Sequence, residues 1–143
     1  ATGIDFLAAG IGNIHGKYPE NWSGLHLDHL QKLTEAVPNF PIVLHGASSV
    51  LPEFVAKCNE FGGNIPGAQG VPEEMLHKAA QMAVCKINID TDLRLAMTAS
   101  VREYLAQNPS EFDPRKYLGP ARDAIKGMVA HKIKNVLGSS NKL

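Results

Sequence analysis

Short apolar runs alternate with longer amphipathic stretches along the chain, a pattern typical of an α/β protein. The apolar runs at residues 4–12, 41–45 and 84–89 are rich in aliphatic side chains and predict three strands. Apolar positions at helical spacing predict helices at residues 24–37, 52–61, 72–82, 93–107 and 120–137, with a polar turn in 110–118. Because strands and helices alternate, right-handed crossovers would give a parallel sheet.

The predicted sheet is incomplete. Three parallel strands do not close a barrel, and they leave two open edges. The chain also begins with Ala1-Thr2-Gly3, without an initiator methionine, and enters its first predicted strand almost at once. We therefore expect residues 1–143 to be the C-terminal portion of a single larger α/β domain, with the N-terminal half absent from this chain.

The composition gives no sign of a nucleic-acid or membrane partner. The 143 residues include 14 Lys and Arg and 14 Asp and Glu, so the formal net charge is zero. No apolar run reaches the roughly 18 residues of a membrane-spanning helix. Cys58 and Cys85 match no metal or redox spacing, and Cys85 is expected to be a buried free thiol. These features favour a cytoplasmic protein.

Two histidines follow predicted strands, and each is followed directly by a glycine: His15-Gly16 and His45-Gly46. The carboxyl ends of neighbouring parallel strands meet at one mouth of a sheet, which is where α/β proteins place ligand chemistry. Two imidazoles at that mouth indicate a metal site. A catalytic zinc usually has three protein ligands, so the third must come from elsewhere. The alternative is a pair of structural histidines with ordinary hydrogen-bond partners.

Small and polar residues follow the second and third strands. In residues 46–49, Gly-Ala-Ser-Ser lets backbone N–H groups approach an anion, and Ser48 adds a hydroxyl. Asn88 and Thr91 follow the third strand, where they could meet a substrate oxygen and a phosphate. The alternatives are an ordinary turn with a serine cap, and helix capping by an aspartate at position 90 or 92.

The other four histidines have a simpler interpretation. All of them fall in predicted helices, and no carboxylate or cysteine completes a ligand set around the pair that is spaced by three residues. We expect solvent-exposed helix positions for this set, which comprises His26, His29, His77 and His131.

Taken in order, three segments resemble class II fructose-bisphosphate aldolases. They are residues 11–18 (IGNIHGKY), 44–49 (LHGASS) and 88–94 (NIDTDLR), and the match lies in the C-terminal half of that family. The resemblance implies the C-terminal part of a TIM (β/α)8 barrel, about the last three βα units plus terminal helices. In such a barrel the site lies at the C-terminal ends of the strands.

The resemblance also implies a role for each matching position. His15 and His45 would be two of three zinc ligands, and Asn88 would contact the ketose near the reacting carbons. The positions implied at the dihydroxyacetone phosphate moiety are Gly16, Gly46, Ala47, Ser48, Asp90 and Thr91. Arg94 would reach the second phosphate in a neighbouring subunit, and Asp113 and Arg115 fall near positions that shape substrate choice. The backbone around the two glycines resembles a monovalent-cation site, for Na⁺ or K⁺.

The implied reaction is zinc-dependent aldol cleavage of fructose 1,6-bisphosphate to dihydroxyacetone phosphate and glyceraldehyde 3-phosphate, a step of glycolysis. Zinc would act as a Lewis acid, so no Schiff-base lysine is needed and Lys86 is given no such role. The family's third zinc histidine and its catalytic aspartate come from an earlier strand. The implied partners are therefore the N-terminal half of the same enzyme and a second subunit, in a homodimer or higher oligomer.

Two other functions fit the same residues. A tagatose-bisphosphate aldolase shares these motifs, because substrate choice there depends on the configuration of one carbon. A non-catalytic half-barrel that binds phosphate or metal would explain the missing Asp-His pair. It would not explain why both histidines, Asn88 and Asp90 stand at the strand ends.

Overall fold

The computed structural model describes residues 2–142 and contains a three-stranded parallel sheet in the order β1-β2-β3. The strands are β1 (Leu7–Ala8), β2 (Ile42–Leu44) and β3 (Val84–Ile87). Leu7 pairs with Ile42 in the first ladder, and Leu44 pairs with Ile87 in the second. The predicted parallel sheet is confirmed.

Five α-helices connect and follow the strands: α1 (Leu27–Ala36), α2 (Pro52–Glu60), α3 (Glu73–Ala80), α4 (Thr91–Gln107) and α5 (Pro114–His131). A π-helical segment, Lys132–Val136, continues directly from α5. Helix α1 lies between β1 and β2, and α2 and α3 both lie between β2 and β3. This is an α/β architecture, as the alternating sequence pattern predicts.

The predicted bounds of two elements, the first strand and the last helix, were wrong. Residues 4–12 were expected to be one strand, but β1 has only two residues. Beyond it, the Asn13 side chain accepts the N–H of Ile11, and Gly12 has a φ of +91°, so the chain turns. The last helix begins at Pro114 rather than at residue 120, because Asp113 caps it and proline fits a first-turn position.

The apolar core lies around the central strand. Ile42 and Leu44 of β2 are fully buried, and Leu30 of α1 and Leu76 of α3 pack into the same cluster. A second, smaller cluster joins α2 to α4 through Cys58, Leu95 and Ala99. The core therefore holds the middle strand rigidly, and with it the residues that follow its carboxyl end.

Both cysteines are free thiols. Cys58 is buried in α2, but Cys85 is exposed, so its predicted burial is wrong. The reason is that β3 lies at an edge of this sheet, and Cys85 and Lys86 stand outside the apolar cluster. Across residues 2–142, no helix has the length and apolar character needed to span a membrane.

Candidate functional site

A cavity of about 560 Å³ opens at the carboxyl ends of the strands. Its walls come from the segment after β1, the loop after β2, and the end of β3 with the start of α4. The lining residues are Ile14, His15, Gly16, Tyr18, His45, Gly46, Ala47, Ser48, Val50, Gln69, Lys86, Ile87, Asn88, Ile89, Asp90 and Thr91. The three segments singled out in the sequence thus form one site.

The two strand-end histidines meet in this cavity. Nε2 of His15 and Nδ1 of His45 lie 2.5 Å apart, although the residues are separated by 30 positions in the chain. Their ring centroids are 4.5 Å apart with the planes tilted by 45°. The side-chain amide of Asn13 donates to the carbonyl of His45 at 2.6 Å and so ties the two loops together. Two ring nitrogens therefore converge on one point.

These nitrogens fit a shared metal ion. Imidazole nitrogens are common zinc ligands, and these two approach each other from separate loops. Both imidazoles are exposed to the cavity, which leaves room for further ligands. Within residues 2–142, no cluster of three His, Cys, Asp or Glu side chains could hold a metal. The two imidazoles could therefore bind one ion together, with its further ligands supplied from outside residues 2–142.

Tyr18 is a site residue that sequence reasoning missed. It is 6% exposed, its hydroxyl donates to the carbonyl of Gly46 at 3.0 Å, and its hydroxyl oxygen is 3.4 Å from the N–H of Ile14. Gly46 has a φ of +62°, which glycine adopts without strain. Tyr18 therefore fixes the turn that follows His45. The sequence placed Tyr18 in a loop, and no local pattern indicated its partner 28 residues away.

The loop after β2 meets the start of α4. Oγ of Ser48 accepts the backbone N–H groups of Asp90 and Thr91, each at 3.2 Å. Thr91 is the first residue of α4, so the positive end of the helix dipole faces the same loop. Small residues, a hydroxyl and a helix N-terminus thus come together, as the sequence predicts for an anion site.

Asn88 lies at the end of β3, next to the histidines in the cavity wall. Its backbone N–H donates to Leu44 at 2.9 Å, which extends the β2–β3 ladder by one bond. The ammonium of Lys86 donates to the side-chain oxygen of Asn88. That bond leaves the Asn88 amide N–H₂ as a donor for a ligand. Lys86 lines the cavity as well, although sequence reasoning gave it no role.

Arg94 does not line the cavity. It lies one turn along α4 and forms an exposed ion pair with Asp90 at 2.7 Å. Asp90 does line the cavity, but it occupies the N-cap position of α4 without a side-chain capping bond. The Asp90 carboxylate therefore does not cap the helix, and the alternative interpretation of Asp90 as a capping side chain is wrong.

Asp113 and Arg115 also lie outside the cavity wall. Asp113 caps α5 by accepting the N–H of Arg115 at 3.0 Å, and the two side chains form an ion pair at 2.7 Å. The guanidinium of Arg115 lowers the pKa of Asp113 below its ordinary value. In this chain the pair fixes the start of α5 and touches none of the residues that line the cavity.

A polar cluster that sequence reasoning missed contacts residues 46–50, the loop after β2, which we call the anion loop, and its members Lys132 and Asp92 are buried. The Lys132 ammonium contacts Asp92 at 2.9 Å and Glu73 at 2.6 Å, and the Glu73 carboxylate also contacts His131 at 2.7 Å. Burial alone would raise the pKa of Glu73, but hydrogen bonds from Lys132 and His131 outweigh it and lower that pKa.

The remaining histidines divide into two pairs. His26 and His29 are exposed, as predicted, although His26 stands just before α1 rather than within it. The surface prediction is wrong for His77 and His131, which are half-buried. His77 Nδ1 lies 2.9 Å from the carbonyl of Val136, and His131 contacts Glu73, so both join α3 to the C-terminal segment.

The fold and the site define an α/β protein with a parallel sheet and a ligand site at the carboxyl ends of its strands. The family model for fructose-bisphosphate aldolase class-II matches residues 1–64 and 65–142. The chain belongs to this family of class II fructose-bisphosphate aldolases, which the sequence motifs had indicated. The family is generally zinc-dependent, which agrees with the pair of converging histidines.

Curated relatives carry the same family name. The fructose-bisphosphate aldolase of Treponema pallidum (strain Nichols) is 51% identical over 99% of this chain and 46% of its own length. That of Thermus caldophilus is 49% identical over 92% of this chain and 43% of its own length. That of Streptococcus pyogenes serotype M3 (strain ATCC BAA-595 / MGAS315) is 45% identical over 99% of this chain and 44% of its own length. The chain therefore spans a little under half the length of these relatives.

Proposed function

We propose that this chain is the C-terminal part of a zinc-dependent aldolase that interconverts fructose 1,6-bisphosphate with dihydroxyacetone phosphate and glyceraldehyde 3-phosphate. The observation that carries the proposal is the meeting of His15 and His45 at the mouth of the sheet, 2.5 Å apart. They stand in one cavity with the small residues and the helix N-terminus that suit a phosphate. A metal beside a phosphate site suits cleavage of a phosphorylated ketose, because a Lewis-acidic ion would polarise the carbonyl while the phosphate holds the substrate in place.

In this proposal His15 and His45 hold zinc, which when bound would polarise the ketose carbonyl as a Lewis acid. The amide of Asn88 donates to a substrate oxygen near the reacting carbons. Its side-chain oxygen is already engaged by Lys86, so the amide is oriented before substrate arrives. These are this chain's contributions beside the reacting atoms.

The phosphate of the dihydroxyacetone phosphate moiety would lie over the anion loop. Gly16, Gly46 and Ala47 let the ligand approach the backbone closely, and Ser48 supplies a hydroxyl. Thr91 lies at the positive end of α4, and Asp90 flanks it at the edge of the cavity. Because the formal net charge is zero, phosphate binding would depend on this local arrangement rather than on a basic surface.

The remaining parts would come from outside this chain. The third zinc ligand and the catalytic base belong to the N-terminal half, which would complete a TIM barrel along the open edges of the sheet. Arg94 would reach the active site of a second subunit in a homodimer or higher oligomer. Asp113 and Arg115 would influence substrate choice only across such an interface, since within this chain they lie outside the cavity wall.

The proposal extends to a monovalent cation and to cellular location. Na⁺ or K⁺ would bind backbone oxygens around Gly16 and Gly46, whose positive φ values turn the chain at the metal site. A cytoplasmic location is what a glycolytic role would require, and two free thiols are compatible with it.

A metal-dependence assay on the full-length enzyme tests the proposed function. We expect purified enzyme to cleave fructose 1,6-bisphosphate, to lose activity when a chelator removes zinc, and to recover it when zinc is restored. Stereospecific analysis of the condensation product separates fructose 1,6-bisphosphate from tagatose 1,6-bisphosphate. Unchanged activity after complete zinc removal, or ligand binding without turnover, would contradict the proposal.

A further inference from the structure

Lys132 carries a positive charge in the protein interior, where lysine is rarely found. Its side chain is 3% exposed, and it lies in the π-helical segment near the end of the chain. The ammonium contacts Glu73 of α3 at 2.6 Å, Asp92 of α4 at 2.9 Å and the hydroxyl of Ser49 at 3.0 Å. The ammonium thus donates hydrogen bonds to Glu73 and Ser49 and forms an ion pair with Asp92, and each partner belongs to a different part of the chain.

Asp92 connects Lys132 to the anion loop, because it contacts both. Its two carboxylate oxygens accept the backbone N–H groups of Ser49 at 2.9 Å and Val50 at 2.6 Å. Val50 has a φ of +54°, a conformation that β-branched residues rarely adopt. Such a conformation persists only where its surroundings hold it, and the Asp92 carboxylate is one of the groups that does so.

Ser49 and Val50, which Asp92 holds, directly follow Ser48, the residue proposed to bind phosphate. Ser48 directly precedes Ser49, and its hydroxyl oxygen accepts the N–H groups of Asp90 and Thr91. Its carbonyl accepts the N–H of Val71 at 3.0 Å. The loop is thus fixed by the first turn of α4, through two backbone N–H groups and the Asp92 carboxylate, and by the N–H of Val71.

We propose that Lys132 is a positioning residue for phosphate binding, which acts through Asp92 to hold the Ser48–Val50 loop in its ligand-ready conformation. The inference rests on the proposed function, because it takes this loop to be the phosphate site. Lys132 itself touches no substrate. Its charge offsets those of the buried Asp92 carboxylate and the partly buried Glu73 carboxylate, which would otherwise repel each other and release the loop.

A purely structural ion pair would behave differently. Losing it would lower the melting temperature and leave the affinity of the folded enzyme for phosphate unchanged. A positioning residue would weaken phosphate binding in enzyme that is folded and loaded with zinc. The difference therefore lies in the KM and in the dissociation constant for phosphate, not in stability alone.

The test compares Lys132→Met with Lys126→Met in the full-length, zinc-loaded enzyme. Lys126 is an exposed lysine of α5 and serves as the matched control. The measurements are the KM and kcat for fructose 1,6-bisphosphate, the zinc content, and the dissociation constant for inorganic phosphate by calorimetry. For Lys132→Met we expect both KM and the phosphate dissociation constant to rise roughly tenfold, with kcat within about twofold of wild type and zinc retained. Lys126→Met should match wild type.

A second variant keeps the test decisive if Lys132→Met does not fold. Asp92→Asn keeps the side-chain shape and the Lys132–Glu73 pair, but it can accept only one of the two loop N–H groups. We expect the same direction of change in KM and phosphate affinity. Wild-type values in whichever variant folds would overturn the inference. Wild-type enzyme that neither cleaves the bisphosphate nor binds phosphate would instead overturn the proposed function.

Discussion

At the scale of single residues, Gly70 shows how closely the chain packs beneath the site. A Cβ at this position would lie 2.3 Å from the carbonyl oxygen of Ser48 and 2.5 Å from the carbonyl carbon of Ser49. Both atoms belong to the backbone, so a side-chain rotation cannot relieve the clash. The neighbouring Val71 donates to the same Ser48 carbonyl at 3.0 Å. Glycine is therefore required at position 70 for this segment to pack against the backbone of the anion loop.

Replacing Gly70 with alanine should displace this loop. We expect Gly70→Ala to lower the free energy of unfolding of the full-length enzyme by about 1–3 kcal/mol and to raise the KM for fructose 1,6-bisphosphate. Urea denaturation and steady-state kinetics measure the two effects. Gly119→Ala is the control, because nothing in the described part of the chain lies within 4 Å of its added Cβ. Equal behaviour of the two variants would show that the contact at Gly70 is unimportant.

Residue positions could be predicted where the signal is local. His15, His45 and Asn88 each follow an apolar run, so position alone placed them at the strand ends, and the structure brings them into one cavity. Tyr18 and Lys132 could not be found this way. Their partners lie 28 and 83 residues away along the chain, and neither residue type is distinctive in its own segment.

At the scale of elements, Glu73 joins α3 to the end of α5. Its carboxylate contacts His131 at 2.7 Å and Lys132 at 2.6 Å, and these partners lower its pKa despite its partial burial. A carboxyl group whose pKa is lower in the folded state stabilises the fold above its ordinary pKa, 4.5 for Glu73. That stabilisation is lost as the pH falls from there through the lowered value.

The Glu73→Gln variant tests this link. At neutral pH we expect the variant to unfold at a lower urea concentration than wild-type full-length enzyme, because it lacks the charged partner of Lys132. The difference should shrink as the pH falls below 4.5, because Glu73 of the unfolded chain then takes up a proton, and it should be lost once the pH passes the lowered pKa of the folded state. Glu74→Gln, which alters the exposed neighbour, should track wild type throughout. A difference that is independent of pH would contradict the assignment.

Element type was easier to predict than element length. All three strands and five helices fall within or overlap predicted segments, because periodicity reports which face is buried. The length of β1 was not predictable from its apolar residues, since Gly12 and the Asn13 side chain turn the chain. The start of α5 was missed because residues 110–118 were interpreted as a polar turn, whereas Asp113 and Pro114 begin the helix.

At the scale of the whole molecule, this chain contains one side of the proposed active site. The sheet has open edges at β1 and β3, and two histidines converge without a third metal ligand in residues 2–142. The relatives are about twice as long, so their remaining half has the length to supply what is missing. The motifs identified the family from sequence alone. The completing contacts could not be derived, because they involve residues outside this chain.

The most direct test is the zinc content and cleavage rate of the full-length enzyme carrying His45→Ala, with His29→Ala as the control. Both replace an exposed imidazole, but only His45 meets His15 in the cavity. We expect His45→Ala to lose bound zinc and to lower kcat by about a hundredfold or more, while His29→Ala matches wild type. Full zinc occupancy and a wild-type rate in His45→Ala would contradict the account.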